Sequence, residues 1–122
     1  MGKKIIVIDD SQTIREQVAT TLRKAGFEIV EAVDGVDGAE VIARTPDAAL
    51  AICDVNMPRK NGLELLEDLK ESGRTSALPV LMLTTEGQPL LIERARKAGA
   101  KGWLVKPFKA DLLLAAVKKL TS

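Results

Sequence analysis

At 122 residues, with 46% apolar and 29% charged side chains, the chain has the size and balance of one globular domain, residues 1–122, able to bury roughly two thirds of its unfolded surface. Its 18 basic and 17 acidic residues leave a net charge of +1, without the basic excess or stripe that draws a protein to nucleic acid or a membrane surface. Histidine is absent and Cys53 is the sole cysteine, which excludes serine–histidine and cysteine–histidine catalysis, histidine or multi-cysteine metal sites and an intramolecular disulfide.

Met1-Gly2-Lys3-Lys4 leads straight into the first apolar run, residues 4–9, without a signal-peptide core. No run in the chain reaches the ~18 apolar residues of a membrane span, so the chain is read as cytoplasmic. Ile5-Ile6-Val7-Ile8 has the length and β-branched content of a buried strand and stops at Asp9-Asp10. Ser11 then caps a first helix with Ile14, Val18 and Leu22 at helical spacing, ending at Gly26. A second strand covers residues 28–33. Asp34 caps the second helix, with Val36, Ala39, Val41 and Ile42 expected inward and Pro46 beyond its end. The third strand, residues 49–53, carries Cys53 as a small buried hydrophobe and stops at Asp54. Asn61 opens a third helix, with Leu63, Leu65, Leu66 and Leu69 apolar and Gly73 after it. The fourth strand, residues 79–84, ends in Thr84-Thr85, and Pro89 suits the first turn of a fourth helix that ends at Gly99. A fifth strand, residues 101–105, runs into Lys106-Pro107, and a fifth helix spans about Asp111 to Leu120.

This alternation argues for an α/β fold with a parallel sheet covered by helices on both faces. Strand order does not follow from one sequence, but five strands with five helices fit the flavodoxin-like doubly wound order 2-1-3-4-5. Ligands of such sheets bind at the carboxyl ends of the strands, where Asp9, Asp10 and Asp54 are placed. Three like charges gathered there repel one another, and a hard cation such as Mg²⁺ with oxygen ligands is the usual remedy. Thr84 and Lys106 add a hydroxyl and an ammonium. The set suits phosphoryl chemistry, in which carboxylates hold the ion, one carboxylate is the nucleophile, and the hydroxyl and ammonium stabilise phosphoryl oxygens. Taken alone, Asp10 could equally cap the first helix, and Thr84 could be only a strand former.

With Asp9-Asp10, Asp54-Val55-Asn56-Met57-Pro58, Asn61-Gly62, Thr84 and Lys106-Pro107-Phe108 in this order and spacing, the chain resembles a response-regulator receiver domain over essentially its whole length. The run Leu78-Pro79-Val80-Leu81-Met82 with Thr84 and Glu86 is most similar to the stand-alone chemotaxis regulators of that family. The resemblance implies that Asp54 is the phosphoacceptor, taking a phosphoryl group from the phosphohistidine of a sensor histidine kinase. It implies Mg²⁺ held by Asp10 directly and Asp9 partly through water, with Asp54 and the backbone carbonyl of Asn56. Lys106 would pair with the carboxylates at rest and with the phosphoryl group afterwards. The Lys106-Pro107 bond would be cis, which only X–Pro bonds adopt at small cost. Thr84 would hydrogen-bond the phosphoryl oxygen once its loop moves in. Asn56 and Glu86 occupy the positions thought to tune hydrolysis, implying a phosphoryl lifetime of seconds to minutes.

Two positions depart from the family pattern. Trp103 stands where a Tyr or Phe switch residue is commoner, and its size and indole N–H imply that it is held outward or rotates only partly. Thr85 stands where Ala or Gly is common, and its branched side chain is expected to hinder both access to the phosphate and rotation of Trp103. The family's usual output surface is the fourth helix, fifth strand and fifth helix. There Leu90-Leu91-Ile92 must leave at least one apolar residue facing solvent or a partner.

The implied protein is a monomeric signalling receiver rather than an enzyme, with no nucleic-acid or membrane partner. No output domain is expected after Ser122, so output would pass through a partner protein, first the flagellar motor switch. The alternative within the class is a phosphorelay intermediate donating to a histidine phosphotransfer domain. A haloacid-dehalogenase-like phosphatase would need a second acid where Asn56 stands. A flavodoxin would need a hydroxyl-rich phosphate loop where Asp9-Asp10 stand, and more aromatics than Phe27, Trp103 and Phe108.

Overall fold

Strand and helix alternate without exception in the computed structural model, which describes residues 2–57, 60–73, 77–85 and 89–122. The elements are β1 (Lys4–Ile8), α1 (Gln12–Lys24), β2 (Glu28–Ala32), α2 (Gly35–Arg44), β3 (Ala48–Asp54), α3 (Gly62–Glu71), β4 (Val80–Thr84), α4 (Pro89–Lys97), β5 (Gly102–Val105) and α5 (Ala110–Thr121). All strand pairs are parallel and the sheet order is β2-β1-β3-β4-β5, the doubly wound order expected. The readings placed on Pro58 and Glu86 lie outside the described residues.

The central strands read as unbroken apolar runs because both of their faces are covered. Successive side chains alternate between the faces. Ile5, Val7, Leu50, Ile52, Leu81 and Leu83 pack against Val18 and Leu22 of α1 and Leu113 and Val117 of α5. Ile6, Ile8, Ala51, Cys53, Val80 and Met82 pack on the other face, against α2, the leucines of α3, and Ala95 of α4. The edge strands are less buried: Glu28 and Glu31 of β2 are exposed, and charge on an edge discourages further strand pairing. Among the described residues no helix is long and apolar enough to cross a membrane.

Local signals place the helices. Ser11 Oγ accepts from the Ile14 N–H, and Asp34 Oδ1 accepts from the Asp37 N–H. Asn61 and Glu64 form a reciprocal capping box at the start of α3. The chain leaves α1 through Gly26 at φ 94°, a left-handed conformation that costs a side-chain-free residue little.

The structure corrects one expected core position. Val36 is 38% exposed, not inward. The inward stripe of α2 runs through Val41 and Ile42, and Val36 lies five and six residues away, about 140° and 240° around the helix. Several strand and helix boundaries also move by about one residue. β1 stops at Ile8, leaving Asp9 just beyond it, and α5 begins at Ala110 without a side-chain cap.

Candidate functional site

Asp9 follows β1 directly and is fully buried, whereas Asp10 is exposed; Asp54 is the last residue of β3 and is 3% exposed. Adjacent positions of β1 and β3 bring the three together, with carboxylate oxygens all within 4.8 Å of one another. Lys106, just past β5, reaches into the same space. Its Nζ lies 2.9 Å from Asp9 Oδ2 and 3.1 Å from Asp54 Oδ1. The Lys106-Pro107 bond is cis, as the family resemblance implied, and Pro107 itself is exposed. Thr84 ends β4 in the buried interior, and its carbonyl accepts the Lys106 N–H at 2.6 Å. The hydroxyl-bearing and ammonium-bearing strand ends are thereby tied together.

Two backbone details hold this corner. Asp9 Oδ1 accepts the Ser11 N–H at 2.9 Å, so the acid that follows β1 also braces the start of α1. Gly62 lies so close to the end of β3 that a Cβ there would sit 2.2 Å from the Asp54 carbonyl oxygen. The Asn61-Gly62 pair is therefore a cap and a close approach in one.

Electrostatics follow from burial and proximity. Burial, and then the charge of Asp9, raise the Asp54 carboxyl above its usual range, and the Lys106 ammonium only partly offsets them. Burial pulls Lys106 down, but its hydrogen bonds to Asp9 and Asp54 outweigh this and raise it overall. One ammonium cannot neutralise three carboxylates. The residual negative charge, the all-oxygen donor set and the exposure of Asp10 fit a small hard cation such as Mg²⁺. Cys53 offers no soft ligand, because burial and the neighbouring carboxylates push its thiol up and keep it neutral.

The other expected site residues differ in exposure and packing. Asn56 is exposed two residues beyond Asp54, and Thr85 is exposed after β4. Trp103 pairs with Met82 across β4 and β5 and packs on the α4 side of the sheet. Its indole Nε1 is buried without a hydrogen-bond partner among the described residues. It borders a cavity of about 170 Å³ shared with Ile92, Ala95 and Ala100. Of the apolar run in α4, Leu90 is 85% and Ile92 36% exposed, while Leu91 packs on the core. Sequence reading does not single out Arg15, whose Nη1 donates to the Asp9 carbonyl at 2.6 Å. The available signal is its place one turn beyond Ser11, where a helix brings a side chain back over its own start.

Comparison with known proteins agrees with this geometry. Residues 5–118 match the family described as the response regulator receiver domain. The chain is 38% identical over 111 residues to chemotaxis protein CheY1 of Helicobacter pylori, covering 90% of each. It is 36% identical to the chemotaxis protein CheY homolog of Campylobacter jejuni, covering 90% of this chain and 85% of that one. Among solved structures, chemotaxis protein CheY4 of Vibrio cholerae superposes with a TM-score of 0.91 at 35% identity, covering 98% of this chain and 99% of the other.

Proposed function

This chain belongs to the response-regulator receiver family, and we propose that Asp54 accepts a phosphoryl group from the phosphohistidine of a sensor histidine kinase. An Asp54 carboxylate oxygen attacks phosphorus and the P–N bond breaks. The kinase imidazole leaves as the neutral base after taking up a proton, and Asp54 becomes an acyl phosphate. Asp9, Asp10, Asp54 and the carbonyl of Asn56 would hold Mg²⁺. When bound, that ion neutralises the carboxylates and draws charge from the transferring phosphoryl oxygens.

The observation that carries this reading is the convergence of Asp54 with Asp9, Asp10 and Lys106, their carboxylates within 4.8 Å and the ammonium shared between two of them. At rest Lys106 balances Asp9 and Asp54. Once Asp54 is phosphorylated, the ammonium turns to the phosphoryl oxygens and the Thr84 hydroxyl donates to them as well. Because the Lys106 N–H is bonded to the Thr84 carbonyl, a shift at one strand end is felt at the other. Phosphorylation in this way biases a two-state equilibrium of the β4–α4 and β5–α5 segments. Asn56 and Glu86 set a phosphoryl lifetime of seconds to minutes.

Output in the cytoplasm passes to a partner protein at the face built by α4, β5 and α5, where Leu90, Ile92, Val105 and Leu112 are exposed. Similarity to chemotaxis regulators makes a flagellar motor-switch component the first partner to test. Incubation with Mg²⁺ and beryllofluoride should change the fluorescence of Trp103, the sole tryptophan, and Asp54→Asn should not respond. Absence of phosphorylation by a small phosphodonor in the wild type, or its persistence in Asp54→Asn, would overturn the assignment.

A further inference from the structure

Every polar group of Asp9 has a partner. Its N–H donates to the Ala32 carbonyl at 3.1 Å, Oδ1 accepts from Ser11 and Oδ2 from Lys106 at 2.9 Å each, and its carbonyl accepts from Arg15 Nη1 at 2.6 Å. The last of these comes from a residue to which the phosphoryl chemistry gives no task. Arg15 sits in α1 with its side chain only 13% exposed, and its Nε donates to Glu31 Oε1 at 3.1 Å. One planar guanidinium thus spans from the corner after β1 to the edge strand β2.

We propose that Arg15 is the positioning residue of the diacid corner. By holding the Asp9 carbonyl and anchoring itself on Glu31, it fixes the backbone from which the Asp9 and Asp10 carboxylates project, and so sets the affinity of the site for Mg²⁺. The proposal rests on the reading of those carboxylates as metal ligands. The task needs two directional donors in one rigid plane, which arginine has and lysine lacks. Groups that orient metal ligands without touching the metal typically govern affinity by about 10- to 100-fold.

The sign of the effect separates positioning from simple charge. A guanidinium beside an acidic cluster repels a divalent cation, so a role through charge alone means that neutralising Arg15 tightens binding. Loss of positioning weakens it. Arg15→Lys sharpens the contrast, because it preserves the charge and removes the geometry of the fork.

The full chain, freed of metal, is titrated with MgCl₂ by calorimetry at pH 7, with melting curves in EDTA to show that each variant is folded. Arg15→Met is expected to bind Mg²⁺ about 10-fold more weakly, and Arg15→Lys nearly as weakly. Glu31→Gln should fall between Arg15→Met and the wild type. Arg15→Lys keeps the charge while losing the fork, so it keeps the question decidable if Arg15→Met does not fold. The double variant should bind no more weakly than Arg15→Met alone, since Glu31 acts through Arg15. Unchanged or tighter binding in Arg15→Met, full affinity in Arg15→Lys, or wild-type affinity in Glu31→Gln overturns the proposal. Failure of the wild type to bind Mg²⁺ overturns the metal reading instead, and the proposal with it.

Discussion

Replacing Asp54 by Asn should make the metal-free protein more stable while destroying its capacity for phosphorylation. At an effective dielectric constant of about 20, two unit charges within 4.8 Å repel by at least about 3.5 kcal/mol, and an ion pair at 3.1 Å attracts by about 5 kcal/mol. The ion pair does not prevail, because Lys106 shares its charge with Asp9 and because Asp54 has also lost its hydration. The raised Asp54 carboxyl records this balance. Asparagine keeps the shape and one acceptor for Lys106, so a gain of about 1–2 kcal/mol follows, within the range seen when buried charges give way to neutral groups of similar volume. For a domain of this size that is a rise in melting temperature of about 4–8 °C. Excess Mg²⁺ should reverse the order, since a ligand at 100 times its dissociation constant stabilises the wild type by about 2.7 kcal/mol. The pH dependence has a fixed sign. A carboxyl raised by folding leaves stability intact below its unfolded range and lowers it as pH rises through the folded value, and Asp54→Asn should lack this slope. Calorimetric melts in EDTA and in excess Mg²⁺ test the reasoning. A lower melting temperature for Asp54→Asn in EDTA, or equal stabilisation of both proteins by Mg²⁺, would refute it.

Lys106→Met should cost about 3 kcal/mol in urea unfolding without Mg²⁺, because it strands two buried carboxylates. Wild-type stability should also fall as pH rises through the folded value of Lys106, which is raised above its ordinary 10.5; a flat alkaline limb would contradict the ion-pair assignment. Gly62→Ala forces a methyl to within 2.2 Å of the Asp54 carbonyl oxygen unless the backbone yields, so a loss of about 1–3 kcal/mol and slower labelling by a small phosphodonor are expected, and wild-type rates would speak against a positioning role. Trp103→Phe removes the buried indole N–H that has no partner among the described residues, a group that costs about 1–3 kcal/mol to leave unpaired. Thermal melts should therefore show a change within about 1 kcal/mol despite the smaller ring, and a loss above 2 kcal/mol would show that packing dominates.

Much of the fold was legible because local rules and tertiary demands agree. Ile5-Ile6-Val7-Ile8 and Ala51-Ile52-Cys53 are apolar throughout because β1 and β3 are covered on both faces, and Ser11, Asp34 and Asn61 stand where helices need caps. Val36 misled for a local reason: it is apolar and close to the inward stripe in sequence, yet about 140° from Val41 around α2.

The sequence by itself determined that three carboxylates, a threonine and a lysine end strands of one parallel sheet, since strand ends can be read from where apolar runs stop. Only the tertiary structure decided how the acids divide, with Asp9 buried, Asp10 open to solvent and Asp54 between Asp9 and Lys106. It alone brought Arg15 to the Asp9 carbonyl and to Glu31. The contacts that make these distinctions join residues 97 apart for Lys106 with Asp9 and 16 apart for Arg15 with Glu31. Coulomb and hydrogen-bond energies depend on distance and burial in space, and neither is written in the spacing along the chain.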